Sequence, residues 1–177
     1  PAINKALKIC GKVHLGQTDK NEVPYLAHPL HLAEQMDTEE EICTALLHDV
    51  LEDGLLSADN LREKGIPETV VEAVLLLTKK EEMPYFDYIQ SIADGTSENQ
   101  ATKDSQSATF TEEVFSIARK VKLADLRHNS ELGRLSVVSS RDIKRLEKYR
   151  KARTILGDLT FKHRTPFGSC LLYTSDA

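Results

Sequence analysis

Ala45-Leu46-Leu47-His48-Asp49-Val50-Leu51-Glu52-Asp53 decides how this chain is read. Its apolar residues have the spacing of a buried helix, but four ionisable side chains interrupt them. On a helix His48 and Glu52 lie one turn apart, as do Asp49 and Asp53, so the four cover one contiguous patch. Crowding three carboxylates and one imidazole costs several kcal/mol through desolvation and repulsion unless a cation is present. Carboxylate and neutral imidazole are natural ligands for a divalent metal. The other reading is a solvated helix end, with Glu52 and Asp53 facing water. It fits Asp53 as well as the metal-site reading does, and His48-Asp49 less well, since Ala45, Leu46, Leu47 and Val50 surround that pair.

Outward from this stretch the pattern stays helical. Thr38 followed by Glu39, Glu40 and Glu41 is a capping box, with acidic residues at the positive end of the helix it opens. Further helices are predicted over Ala2–Leu15, Pro29–Met36, Pro84–Ala93, Thr111–Leu132 and Ser140–Leu156. A short one starts at Ser57 and ends at Gly65. Pro67 suits the first turn of the next, whose spacing Val70, Val74, Leu77 favours a buried helix over a strand. Asp53-Gly54 reads as a helix stop, and no turn pair joins two alternating segments. The expected fold class is all-α.

Composition narrows the function classes. The 177 residues suit one domain, and 40% hydrophobic with 29% charged residues excludes wholesale disorder. A formal charge of -5 argues against a dedicated nucleic-acid binder, and no apolar run is long enough to span a bilayer. With no leader pattern and three cysteines (Cys10, Cys43, Cys170) lacking CxxC spacing, the expected location is a reducing cytoplasm. Residues 1–157 read as one domain. A polar insertion over about residues 95–110 precedes the helix carrying Asp125, and residues 158–177 form an irregular tail, partly non-native in character.

Two more polar clusters stand out: Pro24-Tyr25-Leu26-Ala27-His28-Pro29-Leu30 and Lys122-Leu123-Ala124-Asp125-Leu126-Arg127-His128-Asn129. His28 sits at the mouth of a helix, where a lone histidine is more often a surface or capping group. Asp125 and Asn129 share a face at i,i+4, and an aspartate there is commonly paired with a nearby Lys or Arg.

The order His, His-Asp, distant Asp resembles the HD superfamily of metal-dependent phosphohydrolases. Within it the chain is most similar to the hydrolase domain of RelA/SpoT-type alarmone enzymes and their small stand-alone relatives. The matching segments are HLGQ at His14–Gln17, PYLAHPL from Pro24, ALLHDVLEDG from Ala45 and VKLADLRHN from Val121. They run in register from Ala2 to Leu156, the polar insertion apart, and are far more specific than one HD dipeptide.

The resemblance implies a single HD-domain helical bundle with His28, His48, Asp49 and Asp125 as metal ligands. It implies Mn²⁺ as cofactor, although Fe²⁺, Co²⁺ and Zn²⁺ are compatible with such donors. Glu52 and Asp53 match the family's catalytic acidic pair, and Asn129 matches a nucleotide-contacting residue. The implied reaction is hydrolysis of the 3′-pyrophosphate of guanosine tetra- or pentaphosphate, and the implied partner is a small-molecule nucleotide, with no nucleic acid, no membrane and no stated oligomeric state. Synthesis of the alarmone is not expected, because 177 residues leave no room for the family's synthetase domain.

Two departures bear on substrate. Asp19-Lys20 stands where the family usually has Arg-Lys, and a carboxylate neither stacks on guanine nor attracts phosphate. Lys20 and Lys12 remain as phosphate partners, with His14 nearby, although all three also read as ordinary exposed residues. Gly54 replaces the usual Thr or Ser after the acidic pair. Two alternatives therefore stay open: an HD phosphohydrolase acting on another nucleotide, and a metal-binding regulatory HD module without turnover.

Overall fold

The helix opened by Thr38 is the centre of the molecule. In the computed structural model, which describes residues 1–19, 21–94, 110–131 and 139–158, it runs over Glu39–Leu47. The Thr38 side chain accepts from the Glu41 backbone N–H, and Glu41 Oε2 accepts from the Thr38 backbone in return. We number the elements α1 (Ala2–Val13), α2 (Ala27–Ala33), α3 (Glu39–Leu47), α4 (Ala58–Glu63), α5 (Glu68–Leu77), α6 (Tyr85–Asp94), α7 (Glu112–Asn129) and α8 (Ser140–Ile155). Among the described residues there is no strand, only an isolated bridge between Thr18 and Pro24. The fold is all-α, as the sequence predicts.

α3 buries five consecutive residues from Cys43 to Leu47 and touches α1, α2, α5 and α7. It therefore divides the interior into two apolar clusters. One packs Ala6, Ile9 and Cys10 of α1 with Leu46, Leu47, Leu61, Val70, Val71 and Val74. The other packs Leu32, Ala73, Leu77, Ile89, Phe115, Val121 and Leu126, closed by Ala152 and Leu156. The β-branched run of α5 serves both, which is why it is helical and apolar nearly all round. Cys10 and Cys43 are buried free thiols.

Local signals set most boundaries. Ser57 and Asn60 form a capping box at α4, and Gly65, at φ 73°, ends it. Pro67 is the N-cap of α5 and not part of its first turn. Pro29 lies inside α2, which begins two residues earlier at Ala27. The missing N–H of proline costs nothing there, because first-turn N–H groups have no helical acceptor.

The helix predicted through His48–Asp53 is corrected. α3 stops at Leu47, and the chain continues in tighter turns, with Val50 N–H donating to Leu47 O, Glu52 to Asp49 O and Gly54 to Leu51 O. These i→i+3 bonds wind the chain more tightly than an α-helix, at about three residues per turn, and so change which side chains of His48–Asp53 share a side. Gly54, at φ 67°, then reverses the chain. Lys20, the insertion over 95–109 and the tail from 159 onward lie outside the described residues. Asp158, read from sequence as the start of that tail, is buried and bonded to both Arg127 of α7 and Arg153 of α8.

Candidate metal centre

α2 and α7 face each other across the site and α3 ends beneath it. His28 leaves the first turn of α2, and its Nε2 lies 3.2 Å from Asp125 Oδ1 on α7. His48 and Asp49 follow directly on α3, with His48 Nε2 3.0 Å from Asp49 Oδ2. One ligand atom each from His28, His48 and Asp49 lies within 4.8 Å of the others. Asp125 reaches this group through His28.

The surroundings orient these donors. His48 Nδ1 lies 2.8 Å from the Ala45 carbonyl, the bond expected of an Nδ1–H, and this turns Nε2 toward the carboxylates. That Nε2 is buried and, despite its closeness to Asp49, has no hydrogen bond of acceptable angle. The Tyr25 hydroxyl donates to Asp49 Oδ2. Asn129 Nδ2 donates to Asp125 Oδ1 at 2.6 Å, and Lys122 Nζ lies 2.9 Å from Asp125 Oδ2. A buried imidazole nitrogen without a hydrogen bond, beside another imidazole and carboxylates, is a donor set that suits a divalent cation, so the residues present fit such an ion.

Charge is unevenly tuned across the cluster. Burial alone would raise the Asp125 carboxyl, but the Lys122 ammonium and the two imidazoles hold it well below the usual carboxylate range. Burial likewise lowers His48, and this is outweighed by Asp49 and Asp125, which favour its protonated form in the absence of an ion. Glu52 behaves oppositely: although the residue keeps an exposed surface, partial desolvation of its carboxyl, and then the charge of Asp49, push it up. A carboxyl biased toward holding a proton beside carboxylates biased against it is an acid–base asymmetry suited to proton transfer.

The cluster opens into a cavity of about 640 Å³. Glu52, Lys122, Asn129, Arg145 and Tyr149 line it, together with Asp19. Asp19 also organises its own loop: its Oδ1 accepts from the backbone N–H groups of Asn21 and Val23. Farther back, His14 Nδ1 bonds Gln17 Oε1 at 2.8 Å, and the Gln17 carbonyl accepts from Tyr25 N–H, so HLGQ braces the loop that presents Tyr25.

The structure thus gathers His28, Asp49, Asp125, Glu52 and Asn129 at one cavity, with His48 buried beside Asp49 and not itself part of the lining. Asp53 is exposed and Lys12 projects from α1, and neither lines that cavity. Tyr25, Lys122, His31 and His128 were not singled out by sequence reasoning. For His31 and His128 a signal existed: each follows a predicted ligand, His28 and Asp125, by three residues, which on a helix is the same face.

Comparison with known proteins places the chain in a class. No family model matches it. It is 33% identical over 138 residues to the GTP pyrophosphokinase of Myxococcus xanthus, covering 72% of this chain and 16% of that protein. It is 28% identical over 136 residues to the bifunctional (p)ppGpp synthase/hydrolase SpoT of Escherichia coli K12, covering 72% and 17%. A solved structure described as a metazoan ortholog of SpoT that hydrolyses ppGpp superposes with a TM-score of 0.61 at 21% identity, over 88% of this chain and 85% of that one. The chain spans about a sixth of the length of the curated relatives it matches. Fold and sequence similarity together identify an HD-type helical domain. More narrowly, it is a domain similar to the hydrolase domain of RelA/SpoT-type enzymes.

Proposed function

We propose that the chain is a divalent-cation-dependent hydrolase that removes the 3′-pyrophosphate from guanosine tetra- or pentaphosphate. Water adds across the bond between the ribose 3′-oxygen and the pyrophosphate, giving GDP or GTP and free pyrophosphate. The observation that carries this reading is the convergence of His28, His48 and Asp49 beside Asp125, at a polar cavity walled by Glu52.

In this reading His28, His48, Asp49 and Asp125 hold the cation, with Mn²⁺ the ion the resemblance favours. When bound, such an ion supplies a positive charge that polarises a phosphoryl oxygen and lowers the pKa of a water. Glu52, whose carboxyl is raised by partial desolvation and by Asp49, accepts the proton of the attacking water. The resemblance gives Asp53 the task of orienting that water or handling the leaving-group proton, which it would have to perform from outside the cavity lining. Lys122 and Arg145 set positive charge along the cavity wall where phosphates would lie, and Asn129 is placed to meet the nucleotide while holding Asp125. The resemblance assigns Lys20 and Lys12 to substrate phosphate, Lys12 from outside the cavity lining, and residues 1–157 to the catalytic domain. The buried free thiols Cys10 and Cys43 suit a reducing, cytoplasmic setting.

One observation favours a second reading, a hydrolase of the same class acting on another nucleotide. Asp19 lines the cavity where the family has arginine, and its carboxylate is committed to its own turn. A substrate panel decides between them. Protein resupplied with Mn²⁺ is offered guanosine tetraphosphate, guanosine pentaphosphate and nucleoside monophosphates. Pyrophosphate release from the guanosine polyphosphates supports the first reading, and inorganic phosphate from a monophosphate supports the second. No product from any, with the ion bound, overturns both and leaves a binding module. Glu52→Gln should keep the ion and lose turnover by about 100-fold or more; full activity in that variant would remove Glu52 from its assigned role.

A further inference from the structure

α2 and α7 meet in two rungs. The first is His28 with Asp125, already assigned. One helical turn farther along both helices, His31 and His128 form the second, with ring centroids 4.5 Å apart and planes tilted by 42°. Glu131 closes this rung from the end of α7, where its backbone N–H donates to the His128 carbonyl. One ligand atom from each of His31, His128 and Glu131 lies within 4.8 Å of the other two. All three line the same cavity as the first rung, and His128 stands 4.9 Å from the His28 ring.

We propose that His31, His128 and Glu131 form a second site for a divalent transition-metal cation, separate from the one built on His28, His48 and Asp49. Two imidazoles and one carboxylate with an open side suit Zn²⁺, Co²⁺ or Ni²⁺ rather than Mg²⁺ or Ca²⁺, which prefer all-oxygen shells. His128 is buried and fixed by its helix, whereas His31 and Glu131 are exposed, so the site has one rigid donor and two reached from solvent. Each helix thus contributes one donor to each site, at a spacing of three residues. Sharing one cavity, the two sites would both face an anion bound there. The proposal does not depend on the hydrolase reading, because it concerns only which side chains hold ions.

The test is cation stoichiometry on the full chain. Protein stripped with chelator is titrated with Co²⁺, followed by its visible absorption and by metal analysis after gel filtration. Wild type should bind two ions per chain. His31→Ala and Glu131→Ala should each bind one, with unchanged thermal unfolding of the stripped protein, since both positions are exposed. Asp49→Asn should also bind one, and the double variant with His31→Ala none. A single ion on wild type, two ions retained by His31→Ala, or loss of both ions in His31→Ala overturns the second site. The substrate panel is read separately. Two ions with no hydrolysis sinks the proposed function and leaves this inference standing, while one ion with full hydrolysis does the reverse.

Discussion

Tyr25 and Asp49, 24 residues apart in sequence, are joined by a hydrogen bond in which the phenol donates to Asp49 Oδ2. The bond ties the loop before α2 to the turn after α3, so it fixes a candidate ligand from outside the ligand set. Burial, and then the charge of Asp49, push the Tyr25 phenol up, which keeps it a donor at all ordinary pH. Removing such an outer partner typically weakens metal affinity by about 10- to 100-fold. Tyr25→Phe should therefore bind Mn²⁺ at least about 10-fold more weakly by calorimetry, with the fold intact. Unchanged affinity would mean that the tyrosine only packs against His14 and His28.

Lys122 presents a second dependence. Its side chain is 16% exposed and its amine meets Asp125. Burial would lower its pKa, but Asp125 and the tyrosines Tyr88 and Tyr85 keep it well raised, so it stays charged. In the ion-free protein this ammonium offsets part of the carboxylate charge of the cluster; a bound divalent ion does the same. Lys122→Met should lower the stability of the stripped protein by about 3 kcal/mol. Mn²⁺ should then raise its Tm by more than it raises that of wild type. Equal increments in thermal scans with and without Mn²⁺ would show that the two charges do not substitute for each other.

Much of this architecture was legible in the chain. Thr38 with Glu41, Ser57 with Asn60, and the apolar period of α5 are local signals, and each is where its physics requires. The end of α3 was not legible, because His48–Asp53 has spacing that suits a helix equally well. Only tertiary demands turn it into i→i+3 bends. Gathering of the His and Asp clusters was implied by motif order, but what orients them was not. Tyr25 reaches Asp49 across 24 residues, and Lys122 is buried yet kept charged by Asp125, a balance that no spacing reveals. Nor does the motif that contains Arg127 reveal that this side chain holds Asp158 and takes no part in the cavity lining.

Asp158 is the basis of a stability prediction remote from the cavity. Its side chain is 1% exposed, with Arg153 Nε and Nη2 at 2.9 and 2.8 Å and Arg127 Nε at 3.1 Å. It therefore ties the end of α7 to the end of α8. Asp158→Asn would leave the Arg153 guanidinium buried beside a neutral partner, and one-sided removal from a buried pair is costly. We expect a loss of about 3 kcal/mol, or a fall in Tm of roughly 10 °C, with Mn²⁺ stoichiometry unchanged. A shift below about 1 kcal/mol in urea unfolding would show that Asn satisfies both arginines as well as Asp does.

Glu41 supplies the pH prediction. Its carboxylate caps α3 and accepts from Lys120 Nζ of α7 at 2.6 Å. Burial would raise it, but the bonds from Lys120 and from the Asp37 and Thr38 backbone hold it below its ordinary value of 4.5. A group lowered in the folded state binds fewer protons there than in the unfolded chain, so it stabilises the fold above its unfolded pKa. That contribution is lost as pH falls through the folded value. Lys120 is 36% exposed, and solvent screening keeps the pair's share to about 1 kcal/mol. Glu41→Gln retains an acceptor for the cap but cannot titrate. Between about pH 5 and about pH 3, the urea midpoint of wild type should fall more steeply than that of the variant. Parallel slopes would place the acid sensitivity of this fold elsewhere, in carboxylates such as Asp125 or Asp49 that the substitution leaves in place.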